Sequence, residues 1–271
     1  MTGPGPRASV PVLEHVLSDL HEEGEALQVV LSRLTPAQWI RDTPSPGWSV
    51  SVQVAHLTWT DQVAAWALRG GQEWDEIASA AKADPSGLFD AGAREGSDLA
   101  PVALLERWEA SRRTLARDLR SCSSARIRWF GPPMSVVSMA TARLMETWAH
   151  GVDIRDAVSA PLSPTDRLRH VAHVGVRTRD FSFGVHGLQP PTDPFRVELD
   201  SPSGERWSWG PSDARQRVTG SAEGFCLLAT RRRHRDDVHV RADGVDADRW
   251  LSIAQAYAGP PGPGRRPRSA P

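Results

Sequence analysis

Cysteine, lysine and tyrosine are nearly absent from this chain, and each scarcity excludes something. Two cysteines in 271 residues, Cys122 and Cys226, supply neither a disulfide framework nor a CxxC metal knuckle. A reducing compartment suits them best. Lys82 is the only lysine, so arginine carries nearly all the positive charge. The formal net charge is −1, which leaves no overall field to recruit nucleic acid or an anionic membrane. No apolar run approaches the roughly 20 residues that span a bilayer. The Gly/Pro-rich start, Met1 to Arg7, lacks the apolar core of a signal peptide. The expectation is a cytoplasmic protein with no membrane or nucleic-acid partner.

What is present fits an ordinary folded protein: 39% hydrophobic and 24% charged residues, in a chain long enough for a full core. Eleven tryptophans read mostly as core residues. Apolar residues recur at helical spacing over 12–33, from Ser49 to Arg69, over 101–120 and over 135–158. Ser49 or Ser51 can cap the second of these helices, and Pro101 suits the first turn of the third. Residues 72–100 predict a short helix and a long connection. A further helix is expected over 164–180, with Ser163 as cap, Pro164 at its first position and Asp166 completing a capping box.

After Pro190-Pro191 the period changes. Residues 195–199 and 206–209 alternate as strands around the turn Ser201-Pro202-Ser203-Gly204. A helix over 220–232, a strand over 238–240 and a helix over 246–257 follow, then a Gly/Pro-rich tail. The predicted class is mainly α: a helical bundle over 8–185, a small α+β domain over 190–258, and a disordered tail over 259–271.

The chemistry lies in two of the helices. Glu146 and His150 are four residues apart, so both leave one helix face a turn apart and can bite one ion. Asp153 continues that face. His56 sits mid-helix among apolar positions, where an imidazole needs a hydrogen-bond partner or a metal. Two histidines and a carboxylate suit zinc, with iron or nickel as alternatives, and leave coordination positions open. On spacing alone, an ordinary satisfied core histidine is the commoner reading, because E-x-x-x-H is far less specific than H-E-x-x-H.

The segments QVAHLTWTD around His56 and METWAHGVD around His150 resemble the DinB-like metalloprotein superfamily. More closely, they resemble the N-terminal domain of mycothiol-dependent maleylpyruvate isomerase and its actinobacterial relatives. PSPGWSVSVQVAHL resembles the entry to the second helix in that group. WFGPPMSVVSMATARLMETWAHGVDIRDAV and LLATRRRHRDDV resemble an uncharacterised, metal-binding branch of it. The resemblance implies a four-helix bundle with a zinc site in which His56, Glu146 and His150 are the ligands. It also implies an arginine from the C-terminal domain, for which Arg231, Arg232 or Arg233 stands in the comparable stretch.

By that resemblance the co-substrate is mycothiol or another low-molecular-weight thiol, and zinc would hold it as the nucleophilic thiolate. The activity implied is an isomerase or S-transferase acting on a small electrophilic or carboxylate-bearing metabolite. Arg231 or Arg232 would grip a substrate carboxylate. Asp153 would hydrogen-bond a ligand histidine or orient a water. A monomer or homodimer is expected. A non-catalytic metal-containing binding protein and a bundle with no metal are the competing readings. Trp59, Trp66 and Trp148 neighbour the ligand helices and are expected to pack, and Cys122 and Cys226 read as core thiols.

Overall fold

The computed structural model describes residues 6–268. The start of the N-terminal segment and the last three residues of the tail lie outside the described residues. The chain divides into two compact units, Met1–Leu162 and Ser163–Pro271. No helix among the described residues is long and apolar enough to cross a membrane.

Four long helices make the first unit: α1 (Pro6–Leu31), α3 (Val50–Arg69), α6 (Pro101–Ser121) and α7 (Val136–Val158). Helix α3 packs on α6 and α7, and α1 packs on α7 and α6. This is the expected four-helix bundle. The single turn α2 (Pro36–Trp39) precedes α3, and α4 (Gln72–Ala83) and α5 (Pro85–Arg94) follow it. The segment 72–100 thus holds two helices where one was expected. Asp84 divides them: its carboxylate accepts from Gly87 N at 2.9 Å and caps α5, with Pro85 at the first position.

The bundle interior is two apolar clusters. Val16, Trp59, Val63, Leu115 and Met139 belong to one, and Leu27, Val54, Leu57, Trp108 and Ile154 to the other. On α3 the hand-over between clusters falls near His56, and on α7 it falls between Ala140 and Ile154. The polar residues of the two helices therefore sit at the level where one core gives way to the other.

The second unit starts with α8 (Leu168–Arg177) and α9 (Arg179–Val185). These residues were expected in the bundle as one helix capped by Ser163. The helix instead begins at Leu168, because the Asp166 carboxylate accepts from Ser203 N at 3.1 Å rather than from its own first turn. Its helices pack against the C-terminal elements, α8 on α10 (Ala222–Ala229) and α9 on α11 (Val245–Ile253).

Strands β1 (Phe195–Asp200), β2 (Arg206–Trp209), β3 (Gln216–Ser221) and β4 (Val240–Asp243) form one sheet in the order β2-β1-β3-β4. Strand β1 runs antiparallel to β2 and parallel to β3, with Val197 opposite Trp209 and Val218. Phe195, Val197 and Leu199 alternate inward, as predicted. Strand β3 was missed because only Val218 of its six residues is buried, so no alternation shows. Helix α11 stops at Ile253, short of the expected 257, because Gln255 N donates to Ser182 Oγ at 3.0 Å instead of continuing the helix ladder. The described tail residues have no regular structure, yet Arg231 reaches Gly262 O and Arg268 N donates to the Asp237 carboxylate at 3.0 Å.

Helix α5 lies flat on Trp59: a Cβ added at Gly92 would stand 2.3 Å from the indole. Trp59 is buried and packed edge-on against Phe89, so it cannot give way cheaply. Gly92→Ala is expected to destabilise the protein by about 1–3 kcal/mol through overpacking, read as a lower urea midpoint at unchanged slope.

Candidate metal centre

Helix α3 delivers His56, and α7 delivers Glu146 and His150. Both helices start at serine caps: Ser49 Oγ accepts from Val52 N at 3.3 Å, and Ser135 Oγ from Ser138 N at 3.1 Å. One donor atom from each of the three side chains lies within 4.8 Å of the other two. The two imidazoles stand 4.7 Å apart between centroids. Glu146 Oε2 is 3.1 Å from His150 Nε2, one helical turn away, as the spacing predicts.

The carboxylate is held ionised. Burial would raise the Glu146 pKa, but the hydrogen bond and charge of His150, with Arg143 and His56, hold it down to about 2. Arg143 is itself locked in place. Its Nε donates to Asp61 Oδ1 at 2.9 Å and its Nη2 to Thr60 Oγ1 at 2.7 Å, with both side chains of the ion pair almost fully buried. Burial pushes the Asp61 carboxyl up, and Arg143 opposes that shift.

On the far side of His150 stands Gln53, fully buried on α3. Its Oε1 meets His150 Nδ1, and its Nε2 donates to Thr43 Oγ1 at 2.9 Å and to Asp153 Oδ2 at 3.5 Å. Asp153 Oδ2 also accepts from Ser45 Oγ at 3.1 Å. Trp48, from the same turn as Thr43 and Ser45, stacks on His150 at 5.9 Å and 12° and meets His56 edge-on at 4.9 Å.

The donor set can be tested against a cation. Gln53 Oε1 accepts only, so His150 Nδ1 carries a proton. Nε2 then meets a carboxylate oxygen at 3.1 Å, as the donor of the hydrogen bond that lowers the Glu146 pKa or, on a neutral ring, as a lone pair. Two acceptors at that distance repel unless a proton or a cation lies between them. A divalent ion shared by His56, Glu146 and His150 removes the conflict and leaves positions open for exogenous ligands. The residues fit the implied metal.

The other predicted residues divide between the two units. Asp153 is fully buried, and the atom that meets His150 Nδ1 belongs to Gln53. Arg231 follows α10 in the second unit, in a left-handed conformation (φ 59°). It lines a cleft of about 260 Å³ with Arg233, His234, Arg235, Arg265 and one acid, Asp236. Arg232 is not among the lining residues; its Nη1 donates to Thr230 O at 2.8 Å. Cys226 is buried, and burial pushes its thiol well above the usual range, so it packs as an inert core residue. Trp59 and Trp148 are buried, as expected.

Gln53, Trp48 and the Arg143–Asp61 pair were missed. Gln53 stands three residues before His56 on an apolar helix, and a glutamine at such a position was the one visible signal. Nothing local marks the partner of Arg143, because Asp61 lies on a different helix.

The sequence pattern of the family described as the mycothiol maleylpyruvate isomerase N-terminal domain matches residues 20–155, a span that holds all three candidate ligands. A second pattern, described as wyosine base formation, matches residues 191–243. Two uncharacterized proteins of Mycobacterium tuberculosis, from strains CDC 1551 / Oshkosh and ATCC 25618 / H37Rv, are each 49% identical over 266 residues, covering 98% of this chain and 100% of theirs. The crystal structure of the mycothiol-dependent maleylpyruvate isomerase superposes with a TM-score of 0.58 at 21% identity, over 86% of this chain and 94% of that one. A histidine-to-alanine mutant of the same enzyme gives 0.57 at 22% identity over the same shares. At these identities the likeness is one of fold.

Removing Arg143 leaves Asp61 as a buried, unpaired carboxylate. Arg143→Met is expected to destabilise the protein by about 3–5 kcal/mol, and adding Asp61→Leu to recover most of that loss. Urea denaturation of the two variants checks the pair; equal stability of both would show that the ion pair is uncoupled.

Proposed function

The chain belongs to the family of the mycothiol maleylpyruvate isomerase N-terminal domain, and on that premise we propose that it is a metal- and thiol-dependent enzyme of the isomerase kind. The metal is zinc, the thiol is mycothiol or a close low-molecular-weight analogue, and the substrate is a small electrophilic metabolite bearing a carboxylate. The observation that carries this reading is the convergence of one ligand atom each from His56, Glu146 and His150 within 4.8 Å of one another, with Glu146 Oε2 and His150 Nε2 3.1 Å apart.

Zinc held by His56, Glu146 and His150 would stabilise a bound thiol as its thiolate at neutral pH. The chain's own residues do the rest. Glu146 remains ionised, so it offers full negative charge to the cation. Arg143, held in place by Asp61, sets its positive charge near Glu146. Trp48 lies flat on His150 and limits the approach to that ring. In the second unit, Arg231 and its neighbours in the basic cleft offer forked donors that match a carboxylate in geometry and charge. Arg232, turned to Thr230 O, is the weaker choice for that grip.

The reaction this supports is reversible addition. The thiolate sulfur bonds to the activated carbon of a conjugated double bond, whose electron pair moves to the substrate carbonyl. The remaining C–C single bond rotates. The electron pair then returns, the C–S bond breaks, and the thiolate leaves unchanged with the alkene in its other geometry. Transfer would stop at the adduct and consume thiol.

Untagged, zinc-loaded protein with mycothiol and a panel of cis-α,β-unsaturated carboxylates separates the cases. Isomerisation changes the alkene absorbance at constant free thiol, transfer depletes thiol in step with substrate, and a binding protein does neither. The expected result is turnover at constant thiol. Glu146→Ala and His150→Ala are expected to lose zinc, measured by elemental analysis, while the helical circular dichroism signal stays, because the site closes no structural cage. Zinc content equal to wild type in both would sink the metal reading.

A further inference from the structure

We propose that Gln53 is the positioning residue of this centre: its amide assigns the proton of His150 to Nδ1 and so turns the Nε2 lone pair toward Glu146. The metal-affinity part of this proposal rests on the zinc reading above; the tautomer part does not.

The orientation of the amide is over-determined. Thr43 Oγ1 has one proton, and it donates that proton to Trp48 O at 2.7 Å. Toward Gln53 it can only accept, so the group 2.9 Å away must be the NH2 end. Asp153 Oδ2, at 3.5 Å, is a second acceptor on the same side. Flipping the amide would place its carbonyl oxygen against a carboxylate and a hydroxyl oxygen, in a fully buried position where no water relieves the conflict. The oxygen end must therefore face His150, and Nδ1 must carry the proton that it receives.

The order of control runs from charge to lone pair. Ser45 Oγ holds the Asp153 carboxylate at 3.1 Å. That carboxylate and Thr43 orient the Gln53 amide. The amide selects the tautomer, and the tautomer frees Nε2. Asp153 thus acts on the histidine through Gln53. The turn between Thr43 and Trp48 belongs to the same device, because Thr43 and Ser45 anchor the network and Trp48 covers the ring they orient. Partners of this kind fix ring orientation, and their loss typically lowers metal affinity about 10- to 100-fold.

Three variants test the proposal: Gln53→Leu, Gln53→Glu, and Gln53→Glu combined with Asp153→Asn. The double variant exchanges the charged and the amide side chain between the two positions, with net charge unchanged. The carboxylate at position 53 would then accept from His150 Nδ1, from the new amide at position 153 and from the Thr43 hydroxyl, which turns its proton from Trp48 O to the carboxylate. Zinc affinity is measured by chelator competition, and the tautomer by long-range ¹H–¹⁵N spectra of the neutral His150 ring in metal-free protein. Wild type is expected to show protonated Nδ1. Gln53→Leu is expected to lose about 10- to 100-fold in zinc affinity and to shift the proton toward Nε2. Gln53→Glu alone places two carboxylates side by side and is expected to bind zinc less tightly than the double variant, which restores both affinity and tautomer. Wild-type affinity and an unchanged Nδ1 proton in Gln53→Leu would overturn the proposal. Should Gln53→Leu fail to fold, the comparison of Gln53→Glu with the double variant decides, since no rescue there would overturn it as well. A wild-type protein that binds no zinc removes the metal reading, while the tautomer of wild type and variants still decides the role of Gln53.

Discussion

Charges and lone pairs that leave water must find partners inside the protein, because an unpaired buried ion costs several kcal/mol. The bundle of this protein buries an unusual concentration of them. Asp61, Arg143 and Asp153 are almost fully enclosed, as are Gln53 and His150, with Glu146 half-buried beside them. They are tied in two groups: Asp61 to Arg143, and Glu146 to His150, His150 to Gln53 and Gln53 to Asp153. The line of contacts runs across α3 and α7 at the level where the two apolar clusters meet. Packing on either side makes the polar layer rigid, and the layer in turn fixes the register of the two helices.

That rigidity is what a metal centre of few ligands needs. Three side chains from two helices hold an ion without a closed cage only when their own orientations are set by neighbours. Serine caps fix the helix starts, the i,i+4 spacing places Glu146 and His150, and the turn ahead of α3 supplies Thr43, Ser45 and Trp48. The turn adds no ligand of its own. It sets the ring plane of His150 and limits the approach to it.

The second unit works on a different principle. A small four-stranded sheet supports α10, and the chain after it turns through the left-handed Arg231 into a basic cleft. Its thiol, Cys226, is buried and inert.

Much of the fold was legible because helical periodicity is a local signal. The four bundle helices, the strand alternation at Phe195, Val197 and Leu199, and the turn 201–204 all appear in the order of residues. Strand β3 did not, since a strand with one buried side chain has no alternation to read. The Asp166 capping pattern misled because a carboxylate takes the best donor available in three dimensions, here Ser203 N. By itself the sequence determined that Glu146, His150 and Asp153 share one helix face, since helical geometry alone sets that spacing. Only the tertiary structure decided that His56 joins them, that Gln53 stands between Asp153 and His150, and that Arg143 answers to Asp61. Those relations join different helices, and no periodicity within one segment can encode which face of another it will meet.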